Sequence, residues 1–208
     1  MEIIERKYDN RNTKLPKSFY TRGQVTKIAK ELLGKLIFTF TNNELTGGII
    51  TETEAYAGIS DKASHAYNNR RTKRTEIMYS EGGVAYVYLC YGMHNLFNFV
   101  TNKKEKPDAV LLRAIIPIEG IEIMEARMGR EITIKGFTDG PGKVSKALKI
   151  NVTDTGESLT GNRIWVEDRG VNIKDDNILK LPRIGVDYAE EDALLPYRFV
   201  IADEKKLL

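Results

Sequence analysis

Apolar residues at Val25, Ile28, Ala29, Leu32 and Leu33 follow the i, i+3, i+4, i+7, i+8 spacing of one helix face and predict an amphipathic helix over residues 21–35. Thr21 can cap its start and Gly34 its end. Beyond it the period shortens to two, the spacing of strands. KLIFTF at 35–40 predicts a strand, Asn42-Asn43 a turn, and 47–56 the returning strand. Residues 58–73 are polar and aperiodic, hence a loop. The runs 84–91 and 94–101 predict a hairpin about Tyr91-Gly92-Met93, where glycine accepts the positive φ of a tight turn. A nearly continuous apolar run at 108–116 predicts a buried strand, and 118–128 a helix. Asp139-Gly140-Pro141-Gly142 is a turn opening a short helix through Lys149, with short strands expected at 164–167 and 197–201. With no repeat, no low-complexity linker and no sharp break in composition, the pattern predicts one α+β domain over residues 1–208.

The informative positions are those that misfit this pattern. On the 47–56 strand, alternation puts Ile50, Glu52, Glu54 and Tyr56 on one face and Ile49, Thr51, Thr53 and Ala55 on the other. Glutamate is depleted in strands, and an inward charge is costly unless something needs it. A second odd strand, Tyr86-Val87-Tyr88-Leu89-Cys90-Tyr91-Gly92, is rich in tyrosine and closed by a glycine turn. Acid on one strand and flat aromatics on the next point to a pocket that holds a planar ring and does water chemistry beside it.

Composition narrows the class. At 208 residues, 41% hydrophobic and 29% charged, the chain reads as an ordinary globular protein with room for one well-buried core. No run approaches eighteen apolar residues, so no membrane span is expected. MEIIERKYDN has no apolar signal core, and Cys90 is a lone cysteine; both fit a cytoplasmic protein, nucleoid-associated if bacterial, that is not secreted. Two histidines and one cysteine are too few for a zinc cage, and no metal is expected. The net charge of +3 is uneven: residues 152–208 carry 8 Lys and Arg against 12 Asp and Glu, a net −4, which leaves +7 on residues 1–151. The most lopsided stretch, 62–74, holds Arg70, Arg71, Lys73 and Arg74 and no acid after Asp61. A basic face next to a candidate site favours a polyanion, nucleic acid first, over a merely solvated loop.

Several residues carry candidate chemistry, each with a plainer alternative. Glu54, at the strand's end, is a candidate catalytic carboxylate, with Glu52 a salt-bridged neighbour; the two also suggest a glycosidase pair, though no second acid can be placed across a cleft. His65, in Ala63-Ser64-His65-Ala66-Tyr67, reads as a hydrogen-bonded scaffold residue more than a ligand, since no HExxH or HxH spacing supports a metal. Tyr86 reads as packing, whereas Tyr91, beside glycine at a hairpin tip, should protrude and stack on or wedge between bases. Asn98 interrupts an apolar stretch and can read a ring edge; Arg113, inside a buried strand, must be paired or face a site. Gly140-Pro141-Gly142-Lys143 resembles a phosphate-binding turn but lacks Walker spacing.

Six segments in order are more specific than any one: TETEAYAG, ASHAY, YVYLCYGMHNLFN, VLLRAIIP, GPGKVSKAL and RIGV with PYRF. Over about residues 16–200 the chain resembles the alkyladenine (3-methyladenine) DNA glycosylase family. The resemblance implies an antiparallel, partly open barrel-like sheet with a few helices and a protruding hairpin, acting as a monomer without a cofactor on double-stranded DNA containing damaged purines. It implies flipping of the nucleotide and hydrolysis of the N-glycosidic bond to an abasic site. By motif position, Glu54 is the general base; Tyr56, His65 and Tyr88 sandwich the base; Tyr91, supported by Met93, enters the duplex; Asn98 guards against guanine's amine; Arg113 orders the pocket; and Arg74 contacts DNA. The sequence departs from the family pattern at Thr72-Lys73-Arg74-Thr75, at Ser80-Glu81-Gly82-Gly83, which replaces a proline-containing turn, and at Asn95, where an aromatic is common. No lysine lies in the pocket motifs, so water rather than an amine is the expected nucleophile. The rivals are a carbohydrate- or RNA-directed hydrolase using the same carboxylates, and a non-catalytic damage-recognition module.

Overall fold

The computed structural model describes residues 13–203. Within them β1 (Leu36–Thr41), β2 (Glu44–Tyr56), β3 (Ala85–Cys90), β4 (His94–Thr101), β5 (Asp108–Glu119), β6 (Ile164–Glu167), β7 (Ile178–Leu181) and β8 (Arg198–Ile201) join in one antiparallel sheet. The order is β3-β4-β5-β2-β1-β6, with β8 pairing both β2 and β7. The helices are few: α1 (Lys17–Tyr20), α2 (Val25–Leu32), α3 (Ile121–Met128) and α4 (Pro141–Ala147). None is long and apolar enough to cross a membrane.

β2 is the spine. One edge pairs with β5; the other is shared, β1 taking Glu44 to Ile49 and β8 taking Glu52 to Glu54. Changing partners along one edge requires curl, and the sheet closes into a half-barrel. Gly47 and Gly48 allow it: a Cβ on Gly47 would stand 2.4 Å from the Phe38 ring, and one on Gly48 2.7 Å from Ile116 O.

Side-chain alternation sorts the sheet into two faces. Ala85 and Val87, Phe97 and Phe99, Val110 and Leu112, and Ala55 join the main core, into which α2 sends Val25, Ile28, Ala29 and Leu32. Thr53 Oγ1 donates to Ala29 O at 2.8 Å, pinning that helix to β2. The intervening residues Tyr86, Tyr88, Asn98, Leu111 and Tyr56 turn to the opposite face and line a cavity.

Three register shifts break the β2–β5 ladder, one between Gly47 and Gly48 and a pair of bulges flanking Glu52. Ile50 pairs with Ile115 and Glu52 with Ala114, leaving Thr51 extra on β2; Thr53 then pairs with Leu112, leaving Arg113 extra on β5. The second insertion compensates the first, so the ladder resumes while the bulged Arg113 is re-aimed. The alternation expected along this strand therefore holds from Glu52 to Tyr56 but not before it: Ile49 and Ile50 both enter the core.

Other boundaries differ from the pattern's prediction. The helix expected from Thr21 begins at Val25, because Gln24 adopts φ 66° and Thr21 instead caps α1. β5 runs on to Glu119, so residues 118–120, expected as helix, are strand and turn, and α3 starts at Ile121. β7 was not expected; of its four residues only Ile178 is buried, so it carries no apolar alternation.

Candidate active site

Glu54 has no exposed surface. Its carboxylate is held from three sides: Tyr56 Oη donates to Oε2 at 2.9 Å, Ile184 N donates to Oε1 at 2.9 Å, and Arg113 Nη1 lies 3.4 Å from Oε1. Burial pushes this carboxyl above its ordinary pKa, opposed by Arg113, the Ile184 amide and the Tyr56 hydroxyl. The Tyr56 phenol is pushed well above its usual value by burial and then by the Glu54 charge, so it keeps its proton and donates.

Glu52 has a different fate. Arg113 Nε donates to its Oε1 at 2.9 Å and Arg198 Nη1 at 3.0 Å. A carboxylate spent on two guanidinium groups orients them and is not free for acid–base work, which leaves Glu54 without a partner acid in the glycosidase sense. Arg113 bridges both carboxylates from its bulge and also lines the cavity.

The cavity is about 330 Å³, a size that admits one flat ring system. Tyr56, His65, Tyr88, Tyr91, Asn98 and Arg113 all line it, as do residues to which the sequence gave no role: Ile184, Gly185 and Val186 of the RIGV motif, and Tyr188. His65 stacks edge-on against Tyr88, ring centroids 4.6 Å apart, and its Nδ1 pairs with Tyr86 Oη at 2.8 Å. Burial, then the charges of Arg74 and Arg70, lower the His65 pKa to about 4, so the ring is neutral at neutral pH. Tyr86, expected only to pack, does pack at 2% exposure and also orients His65. Asn98 Nδ2 donates to Tyr86 O and Leu96 O, both at 3.2 Å; with both amide hydrogens spent on backbone, Oδ1 is the unspent end of the side chain.

Tyr91 protrudes as expected, 87% exposed, with Met93 70% exposed beside it. Tyr91 and Gly92 have φ 50° and 71°, and Met93 N returns to Cys90 O at 3.2 Å, a turn with two left-handed residues. Among the basic residues, Arg71 is committed to Glu76 and Glu105, whereas Arg70, Lys73 and Arg74 have no carboxylate partner among the described residues. Arg74 stands over the Tyr88 ring at 5.9 Å. Gly140 to Lys143 does open α4, but Lys143 Nζ donates to Gly136 O and Pro141 faces the cavity. Among the described residues no group of three or more His, Cys, Asp or Glu is placed to hold a metal ion.

The residues missed were Arg183, Ile184, Asp61 and Tyr188. Arg183 forks onto Asp61, its side chain wholly buried, and Tyr188 Oη donates to Ala63 O at 3.1 Å. The only signal was the RIGV motif, which carried no chemistry of its own.

A family profile described as methylpurine-DNA glycosylase matches residues 18–205. Proteins assigned as 3-methyladenine DNA glycosylases are similar throughout: one from Chlamydia abortus (strain DSM 27085 / S26/3) is 47% identical over 90% of this chain and 97% of its own, and one from Chlamydia felis (strain Fe/C-56) 47% over 92% and 97%. One from Clostridium novyi (strain NT) is 44% identical over 92% of this chain and 96% of its own. The aromatic cavity, the buried carboxylate and this whole-length similarity converge: the chain belongs to the methylpurine-DNA glycosylase family of enzymes.

Proposed function

We propose that this glycosylase flips a damaged purine nucleotide out of duplex DNA and hydrolyses its N-glycosidic bond with water activated by Glu54. The observation that carries the reading is the Glu54 carboxylate, held by two hydrogen bonds and an ion pair behind two residues, Tyr56 and Arg113, that line the aromatic cavity. Two hydrogen bonds and the Arg113 charge favour its anion against the burial that opposes it. The two hydrogen bonds take one acceptor position on each oxygen, which leaves Oε2 a position for a water confined between Glu54 and a seated base. As the purine departs, positive charge develops at C1′ of the sugar; the anion stabilises it while taking the water's proton.

The walls select the base. Tyr56, Tyr88 and His65 offer ring faces and edges, and a purine made cationic by alkylation gains cation–π attraction from the tyrosines while leaving more readily. A neutral His65 adds no repelling charge to such a base. Asn98, rigidly bonded to backbone, crowds rings with an extra exocyclic amine, a penalty that cationic 7-methylguanine offsets by its cation–π gain and undamaged guanine does not. Tyr91 and Met93 fill the duplex where the nucleotide left, which offsets the few kcal/mol of flipping. The enzyme works as a monomer, without cofactor and without strand cleavage.

The test is single-turnover excision from duplex oligonucleotides carrying 7-methylguanine, hypoxanthine, ethenoadenine or undamaged guanine, with abasic sites revealed by alkali. Glu54→Gln should lose activity by at least roughly 10²–10⁴-fold with lesion affinity retained. Glu52→Gln, whose amide oxygen still accepts from Arg113 and Arg198, should lose much less. A dead Glu52→Gln beside an active Glu54→Gln overturns the assignment. A parent that binds these duplexes and releases no base supports the recognition-module reading instead.

A further inference from the structure

We infer that Arg183 is the positioning residue of this site, fixing Glu54 and Tyr56 from behind; this rests on the reading of Glu54 as the base. β8 leaves the edge of β2 at the Glu54–Arg198 pair, and Tyr197 O accepts from Ala55 N at 2.8 Å. The next open group on that edge is Ala55 O, between the base and Tyr56. It is closed by a side chain, Arg183 Nη1 at 2.9 Å, and not by a strand.

The same guanidinium forks onto Asp61 and donates through Nη2 to Asp192 O at 3.1 Å. Asp61 in turn accepts from Ala57 N and Ala63 N, so it pins both ends of the loop that leads to His65. The guanidinium carbon lies 4.8 Å from the Tyr56 ring and 5.3 Å from the Tyr197 ring, so Tyr56 has a cation at its back. The following amide, Ile184 N, is the donor on Glu54 Oε1. One side chain therefore sets the strand segment carrying Glu54, the ring whose hydroxyl holds Oε2, and the amide that holds Oε1.

Stability alone does not call for this arrangement. The Arg183 side chain is wholly buried, and its Nε is a buried donor with no partner in the described structure. Such an N–H is a net cost to the fold, and buried ion pairs are often replaced by apolar residues without loss. Because Asp61 neutralises it, Arg183 acts on Glu54 mainly through geometry, not net charge.

The test uses R183M, R183K and the double variant D61N/R183M, which removes both buried charges together. Single-turnover excision of 7-methylguanine, a base that needs no protonation to leave, is followed across pH and normalised to folded protein by circular dichroism. Around Glu54 stand Arg113 on β5, Glu52 and Tyr56 on β2, and Arg198 on β8. Tyr88 on β3 and Tyr188 beyond Arg183 complete the titratable groups, and none is altered in D61N/R183M.

R183M and D61N/R183M should fall in rate by roughly tenfold or more, the scale of misplacing a group tied to general-base catalysis. Their acid limb should move to higher pH as the Ile184 amide drifts from Glu54, with lesion affinity little changed and partial recovery in R183K. A parent-like rate and acid limb in the folded variants overturns the inference. So does failure of all three to fold, which makes Arg183 structural. Glu54→Gln run alongside separates the two ideas: if it is dead while the Arg183 variants behave as parent, only this inference falls; if it turns over, the base assignment falls.

Discussion

His65 carries the clearest pH signature of any single residue here. Its pKa is about 4 in the folded protein against 6.5 for the free side chain, chiefly from burial and then from Arg74 and Arg70. Between those values the unfolded chain binds a proton that the native state refuses, so stability is complete above about pH 6.5 and is lost as pH falls toward 4. In His65→Gln this contribution vanishes, while an amide can still meet Tyr86 Oη. The variant should have a lower Tm at pH 7 but a shallower fall to pH 4.5, measured by thermal melts; parallel curves refute the assignment. Glu54, Tyr91, Asn98 and Arg113 could be chosen from the sequence because each misfits its own neighbourhood: a charge in a strand, a ring at a turn or an amide in an apolar run. Tyr56, His65 and Tyr88 were legible only as positions of a family motif. Arg183 and Ile184 could not be chosen. Their meaning lies in contacts with residues 122 to 130 positions away, and an arginine before an isoleucine misfits nothing locally.

At the scale of elements, the hairpin of β3 and β4 is built against local preference. A tyrosine at φ 50° pays strain on the order of 1–3 kcal/mol, yet its ring is almost wholly exposed and returns nothing to the fold. Tyr91→Gly should therefore leave Tm unchanged or raised. It should weaken lesion binding and excision together by roughly 1–3 kcal/mol, the scale of losing one base-stacking aromatic. A variant that melts lower and excises normally shows that the ring serves stability. The hairpin and β6 were legible because alternation and turn chemistry agreed in each, and the body of the core helix because its apolar residues kept the helical period, though its start was not. The paired bulges at Thr51 and Arg113 were not, since register belongs to two strands at once and neither sequence alone encodes it. β5 overran its predicted end because Pro117 sits at a register shift, where a missing N–H costs no ladder bond.

For the whole molecule, the uneven charge becomes a measurable footprint only after internal pairs are set aside. The sequence offered four cations between Arg70 and Arg74 as equals. Folding separates them, because Arg71 is bound by two carboxylates and stacked 4.5 Å from the Tyr79 ring, which makes it part of the scaffold. Arg74 stands over Tyr88 and, with Arg70, acts on His65; these two and Lys73, without carboxylate partners among the described residues, are the groups free to replace counterions on phosphate. Affinity for duplex should then fall steeply with salt, and Arg70→Ala and Lys73→Ala should each reduce the log K against log[salt] slope by about 1. Arg74→Ala should do the same and, having lost the cation over Tyr88, should also weaken discrimination of a lesion from a normal duplex at every salt concentration. Arg71→Ala should lower Tm and leave the slope alone. Binding titrations of the four variants from 50 to 200 mM salt, the range over which phosphate contacts dominate, decide the matter. A slope change in Arg71→Ala equal to the others would mean that its ion pairs open on DNA and that the basic loop acts as one surface.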